Sequence, residues 1–141
     1  MVYLEYERVK MSCISTKNRF AHLLLEKERI LTETLPNAIR YDKDNVQTSI
    51  EGNLLDNYVI EMDEKGIDKR LAKLRQSLKD WEILLEFMER RLRSSKEIPD
   101  RIYVMRHLDG YGIKRICKEI NYSRSQIYRI LDKIEKNCRN L

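Results

Sequence analysis

Residues 112–136, GIKRICKEINYSRSQIYRILDKIEK, carry two helical patterns separated by a turn of two residues, Asn121 and Tyr122. The start of the second pattern is marked three times in one register. Ser123 suits an N-cap, Gln126 three residues later completes a capping box, and Tyr122 and Ile127 are spaced as a hydrophobic staple. From there Ile127, Ile130, Leu131 and Ile134 recur at helical spacing. Ser125, Arg129, Asp132 and Lys136 fall on the opposite face, with Tyr128 and Lys133 beside them. The first pattern is shorter, with Ile113, Ile116, Cys117 and Ile120 inward and Lys114, Arg115, Lys118 and Glu119 outward. Asn121 just past its end tolerates a left-handed backbone, which lets the chain turn sharply. Two short amphipathic helices need a further surface to cover their stripes. The preceding segment supplies one: Pro99 suits a first helical turn, Ile102, Met105 and Leu108 face inward, and residues 109–112 turn the chain into the pair. Residues 96–141 are therefore expected to fold as a three-helix domain built on a helix-turn-helix.

The remainder, residues 1–95, reads as a helical hairpin or coiled coil, which makes the whole chain all-α. Only 4 glycines and 2 prolines in 141 residues agree with a helix-rich chain. Residues 1–16 are weakly patterned, although Tyr3, Tyr6 and Val9 could share an apolar face. Residues 16–35 read as a helix with Phe20, Leu23, Leu24, Ile30 and Leu31 on its apolar side, closed by Pro36 and Asn37. Residues 39–53, IRYDKDNVQTSIEGN, have loop composition. A second long helix is expected from about Leu54 to Leu92 with a weak point at Gly66. In it Ile67, Leu71, Leu74, Leu78, Trp81, Leu85, Met88 and Leu92 alternate by four and three, the coiled-coil period. The first helix is too short to cover that whole seam, so an intrachain hairpin that also dimerises, or forms a higher oligomer, is expected. Ile83, Leu84 and Phe87 widen the apolar surface where the C-terminal domain would dock, and residues 94–96 mark the boundary.

The formal charge is +5, and its distribution is uneven. Residues 94–141 hold 11 Lys and Arg against 6 Asp and Glu, whereas residues 1–93 balance at 17 and 17. A basic helix-turn-helix beside a neutral remainder is the footprint of a module that meets phosphates, because each neutralised phosphate releases a counterion. The candidate DNA-contacting residues are Lys114, Arg115, Ser123, Arg124, Ser125, Gln126, Tyr128, Arg129, Lys133 and Lys136. Arg129 can meet a phosphate or a base, Gln126 can serve an adenine or the capping box, and Asp132 is expected to pair with Lys136. No apolar run is long enough for a signal peptide or a membrane span, so the cytoplasm is the expected location. Cys13, Cys117 and Cys138 form no metal or redox spacing, and His22 and His107 stand apart without partners at ligand spacing. Neither catalysis, metal binding nor a cofactor is expected.

Residues 98–136 resemble the region 4 helix-turn-helix of sigma factors, with a Gly-containing turn, a short helix and a Ser-Arg-Ser opening to the recognition helix. Gly112 stands where such domains often carry a Ser or Thr cap. The order of N-terminal helix, NVQTSIEGN loop at 45–53, heptad helix and this domain is similar to the phage-encoded transcriptional regulators of the RinA and ArpU type, over about residues 20–137. The resemblance implies activation of phage late genes for packaging, morphogenesis and lysis, in the cytoplasm of a bacterial host. It implies binding of double-stranded DNA near a promoter and allows contact with host RNA polymerase. No counterpart of the sigma region that reads the minus-10 element is present. A helical adaptor that binds polymerase or another transcription protein without reading DNA is the competing expectation.

Overall fold

A computed structural model of the protein describes residues 1–34, 60 and 66–141. The loop expected at 39–53, the helix end at Pro36 and Asn37 and the helix start near Leu54 lie outside the described residues. Helix α1 runs Val2–Thr34 and α2 Ile67–Ser94. Helix α3 runs Ile98–Tyr103 and passes into a π-helical turn, Val104–Leu108, followed by α4, Ile113–Ile120, and α5, Arg124–Arg139. The described residues contain no strand, and the fold is all-α. They divide into two compact units, one of Met1–Ile14 with Asp80–Leu141 and one of Ser15–Lys79, so α1 and α2 each contribute to both.

In the first unit the helix-turn-helix acquires a fourth wall that its local pattern does not announce, the opening turns of α1. The core joins Ile102, Ile116, Ile120, Ile127 and Ile134 to Tyr3 and Tyr6 of α1 and to Met88 and Leu92 of α2. Each such side chain contributes roughly 1.5–3 kcal/mol by leaving water. Ile113, Cys117, Ile130 and Leu131 pack around it half-buried, which matches the expected stripes. Tyr3 stacks on Tyr103 with ring centroids 5.5 Å apart, and Tyr6 meets Tyr103 edge-on at 6.1 Å. The Tyr3 hydroxyl accepts a hydrogen bond from the Asn137 amide at 3.0 Å, near the far end of α5.

Asp100 holds the start of α1. It is completely buried, and its carboxylate accepts hydrogen bonds from the Tyr3 N–H at 3.0 Å, the Val2 N–H at 3.3 Å and the Ser95 hydroxyl at 2.7 Å. The first N–H groups of any helix lack partners within it, so this carboxylate caps α1 from 97 residues away in sequence.

The second unit is an antiparallel hairpin. Lys27 pairs with Asp68 at 3.0 Å while the Arg75 guanidinium lies over the Phe20 ring, so position falls along α1 as it rises along α2. Leu23, Ile30, Ile67 and Leu71 are buried there with Phe20 and Leu74 against them. Leu24 and Leu31, expected on the apolar side, are exposed. Two helices in contact bury only a narrow seam, and the seam passes through Leu23 and Ile30 instead. Ile83, Leu84 and Phe87 also depart from expectation: they face solvent, because Met88 and Leu92 make the contact with the tyrosines of α1. The heptad residues of α2 are buried at both ends of the seam and half-buried from Leu74 to Leu85.

Two stability measurements check this packing. Asp100→Ala strands two backbone donors and is expected to cost about 2–4 kcal/mol in urea unfolding, with Asp100→Asn losing less; an unchanged midpoint for the alanine variant would show that Asp100 does not hold the start of α1. Ile116→Ala and Ile127→Ala, at fully buried positions, are expected to cost roughly 2–5 kcal/mol each. Leu131→Ala, half-buried, should cost less than either.

Candidate nucleic-acid interface

The interface is built by the way α5 begins. Asn121 ends α4 in the left-handed conformation, φ 61° and ψ 37°, and its N–H donates to the Cys117 carbonyl at 2.9 Å. Ser123 then caps α5 with an extended backbone, its hydroxyl oxygen accepting from the Gln126 N–H at 3.4 Å. The Gln126 side-chain oxygen accepts in return from the Ser123 N–H at 3.0 Å, so the capping box is closed in both directions. Such a cap contributes about 1 kcal/mol and fixes which residues leave the helix on which side. At the other helix, Gly112 provides an N-cap with no side-chain hydrogen bond.

All ten candidate residues are exposed. Ser123 and Gln126 are held by the cap, which commits the Gln126 oxygen that a bidentate adenine contact would need. Arg115 lies 3.7 Å over the Tyr111 ring and so rests on the turn before α4. Among the described residues, the side chains of Lys114, Arg124, Arg129, Lys133 and Lys136 take part in no ion pair or hydrogen bond. No carboxylate has to be displaced before these cations meet a phosphate. Asp132 does not form the expected pair with Lys136; among the described residues the ion pair on α5 is Arg139 with Glu135. Exposed pairs at that spacing are worth only a few tenths of a kcal/mol, too little to be guaranteed by spacing alone.

Distance along α5 sorts the roles. Arg124, Ser125, Tyr128 and Arg129 occupy its first turn and a half, the part of a recognition helix that reaches base edges. A rise of 1.5 Å per residue puts Lys136 roughly 16 Å beyond Ser125, where a straight helix leaves the curving groove and meets backbone.

The turn before α4 is braced by residues that periodicity does not single out. Arg93 of α2 reaches Asp109 at 3.1 Å, and Arg106 donates to the Tyr111 carbonyl at 3.2 Å. The Tyr103 hydroxyl donates to Glu7, and burial first, then that carboxylate, holds its pKa far above the usual tyrosine value. His107 packs on Tyr103 with centroids 4.9 Å apart. Burial lowers its pKa, and it adds no charge to the basic face near neutral pH. His22 is exposed in the other unit. Among the described residues no group of His, Cys, Asp or Glu side chains is arranged to hold a metal ion, and no helix is long and apolar enough to cross a membrane.

Residues 103–133 match the family described as the helix-turn-helix domain of resolvase. The match takes in the π turn, α4 and most of α5, and the C-terminal part of the chain is a helix-turn-helix of the DNA-binding kind. No curated protein and no solved structure matches the chain.

Arg129→Ala and Ser125→Ala should leave thermal unfolding within about 0.5 kcal/mol of the unmodified protein, since neither side chain packs. Each should reduce discrimination between a selected duplex and a scrambled one by about 1–3 kcal/mol. Lys136→Ala should instead weaken both duplexes alike and lower the salt slope by about one. Fluorescence anisotropy across a salt series separates the two patterns, and equal binding by all three variants would put the reading face elsewhere.

Proposed function

We propose that the protein is a sequence-specific double-stranded DNA-binding transcription regulator, acting by binding rather than catalysis in the cytoplasm of a bacterial host. On this reading it activates late genes of a phage, those for packaging, morphogenesis and lysis, as a homodimer that presents two recognition helices. The observation that carries the DNA part is the exposed face of α5, where Ser125, Tyr128 and Arg129 project from a helix whose register is locked by the Ser123–Gln126 box. The late-gene part rests on the resemblance of helix order and reading domain to the RinA and ArpU type. Homodimerisation follows from the size of the reader: one recognition helix contacts few base pairs, and selectivity over a genome ordinarily takes two half-sites. Contact with host RNA polymerase would convert occupancy near a promoter into activation.

Selection from a random duplex pool with the purified full chain, followed by footprinting on the enriched sequence, tests the proposal. The expected product is a site of two related halves about 34–36 Å apart or a multiple of that. Affinity should fall steeply with salt. Adding the protein to host polymerase on a promoter carrying that site should raise transcript yield. A pool that emerges unenriched, while polymerase is still captured by the protein, would favour the adaptor reading instead.

A further inference from the structure

Residues 80–94 of α2 present two faces. Met88 and Leu92 look into the core of the first unit. The outward face carries Asp80, Ile83, Phe87 and Arg90 at spacings of three, four and three, with Leu84 at its edge. Ile83 is 68% exposed, Phe87 58% and Leu84 39%. Exposed apolar side chains scattered singly need no explanation, but three within five residues on one side of a helix form a patch of the sort that marks an interaction site.

The charges around the patch indicate its occupant. Asp80 stands three residues before Ile83 and Arg90 three residues after Phe87, so the two opposite charges bracket the apolar pair symmetrically. A second α2 laid antiparallel across this face brings Ile83 onto Phe87 of the partner subunit and Asp80 onto Arg90 of the partner subunit. Each contact is then made twice, as a two-fold axis requires. Parallel alignment would set Asp80 against the partner's Asp80 and Arg90 against the partner's Arg90, both repulsive. We propose that this face is the self-association surface of the protein, two copies packing α2 against α2 in antiparallel register about an axis between Ile83 and Phe87. The proposal rests on the homodimer reading above and gives it an interface.

Asp80 and Arg90 are both exposed, and each already has an interaction within its own chain that the intersubunit pair would replace. Arg90 lies 3.7 Å from Glu86 in a pair whose side chains are 78% and 76% exposed, and so weak a contact exchanges readily. From Asp80 to Arg90 the helix advances about 15 Å, so the contact is small and its affinity belongs in the micromolar range. Two half-sites on one DNA would then consolidate the dimer by raising the effective concentration of one copy beside the other.

Sedimentation equilibrium of the full chain without DNA, through the micromolar range, tests the interface. The unmodified protein should show a reversible monomer–dimer equilibrium. Phe87→Lys should weaken it at least roughly tenfold while leaving the helical spectrum unchanged. Asp80→Arg and Arg90→Asp should each weaken it alone, and an equimolar mixture of the two should recover the affinity of the unmodified protein, because both cross-pairs then regain opposite charges. A protein monomeric throughout the range overturns the interface and the homodimer reading together. A dimer indifferent to Phe87→Lys and to both reversals overturns the interface but leaves the homodimer. A mixture that binds more tightly than the unmodified protein overturns the antiparallel register. These masses are read without DNA, so failure to bind any duplex would count against the regulator reading separately.

Discussion

A carboxylate with no exposed surface organises the reading domain. Left without donors, Asp100 would be among the most costly groups in the molecule, and its three hydrogen bonds set the positions of both the 95–97 connection and the first turn of α1. Once the Tyr3 N–H is tied there, the Tyr3 ring falls on Tyr103 and its hydroxyl meets Asn137 of α5. The recognition helix is therefore gripped at both ends, by the Ser123–Gln126 box where it starts and by α1 near where it stops. A binding surface benefits from this arrangement, since side chains on a fixed helix lose less entropy on docking than side chains on a mobile one.

Legibility from sequence followed the range of the interactions. The C-terminal domain was readable because its determinants lie within four residues of one another: the box at Ser123 and Gln126, the left-handed Asn121, and isoleucines whose spacing admits one buried face. The opening turns of α1 were not. Tyr3 and Tyr6 are buried against residues about a hundred positions away, and Asp100, an ordinary acidic residue in the first turn of α3, gives no local sign that it caps another helix. Doubled leucines misled for a different reason. At 23–24 and 30–31 adjacent apolar residues define two stripes about 100° apart, and only the partner helix decides which is covered. The exposure of the candidate positions on α5 was legible, but how their polar groups are used was not. Whether Gln126 caps or reads, and whether Asp132 pairs with Lys136, depends on geometry worth about 1 kcal/mol or less.

The same scale of energy explains why the basic face is useful. Arg29, Arg91, Arg93 and Arg139 have their charges occupied by Glu33, Glu5, Asp109 with Glu89, and Glu135. Arg124, Arg129, Lys133 and Lys136 on α5 do not, among the described residues. Ion pairs of the first sort lie along one helix or, as with Arg91–Glu5 and Arg93–Asp109, join two elements, and would have to break before binding a phosphate. Cations of the second sort carry only counterions, whose release on binding is the main source of nonspecific affinity for a polyanion. On the proposed reading, specificity is left to the short side chains and the tyrosine at the start of α5, the end of a recognition helix that meets base edges.

Separating the two faces of α2 has a consequence for how reading and assembly combine. Met88 and Leu92 support the tyrosines of α1 and hence the recognition helix, whereas Ile83 and Phe87 point away from that core. A contact on the outer face leaves the inner packing undisturbed, so subunit association can be weak or strong without altering the reader's own fold. Weak association suits a site made of two halves. On the proposed reading a monomer would sample single half-sites and leave them quickly, and only where two halves lie at the right spacing would two weak protein contacts and two sets of base contacts hold together. On that reading discrimination would come from the product of modest terms rather than from one tight interface.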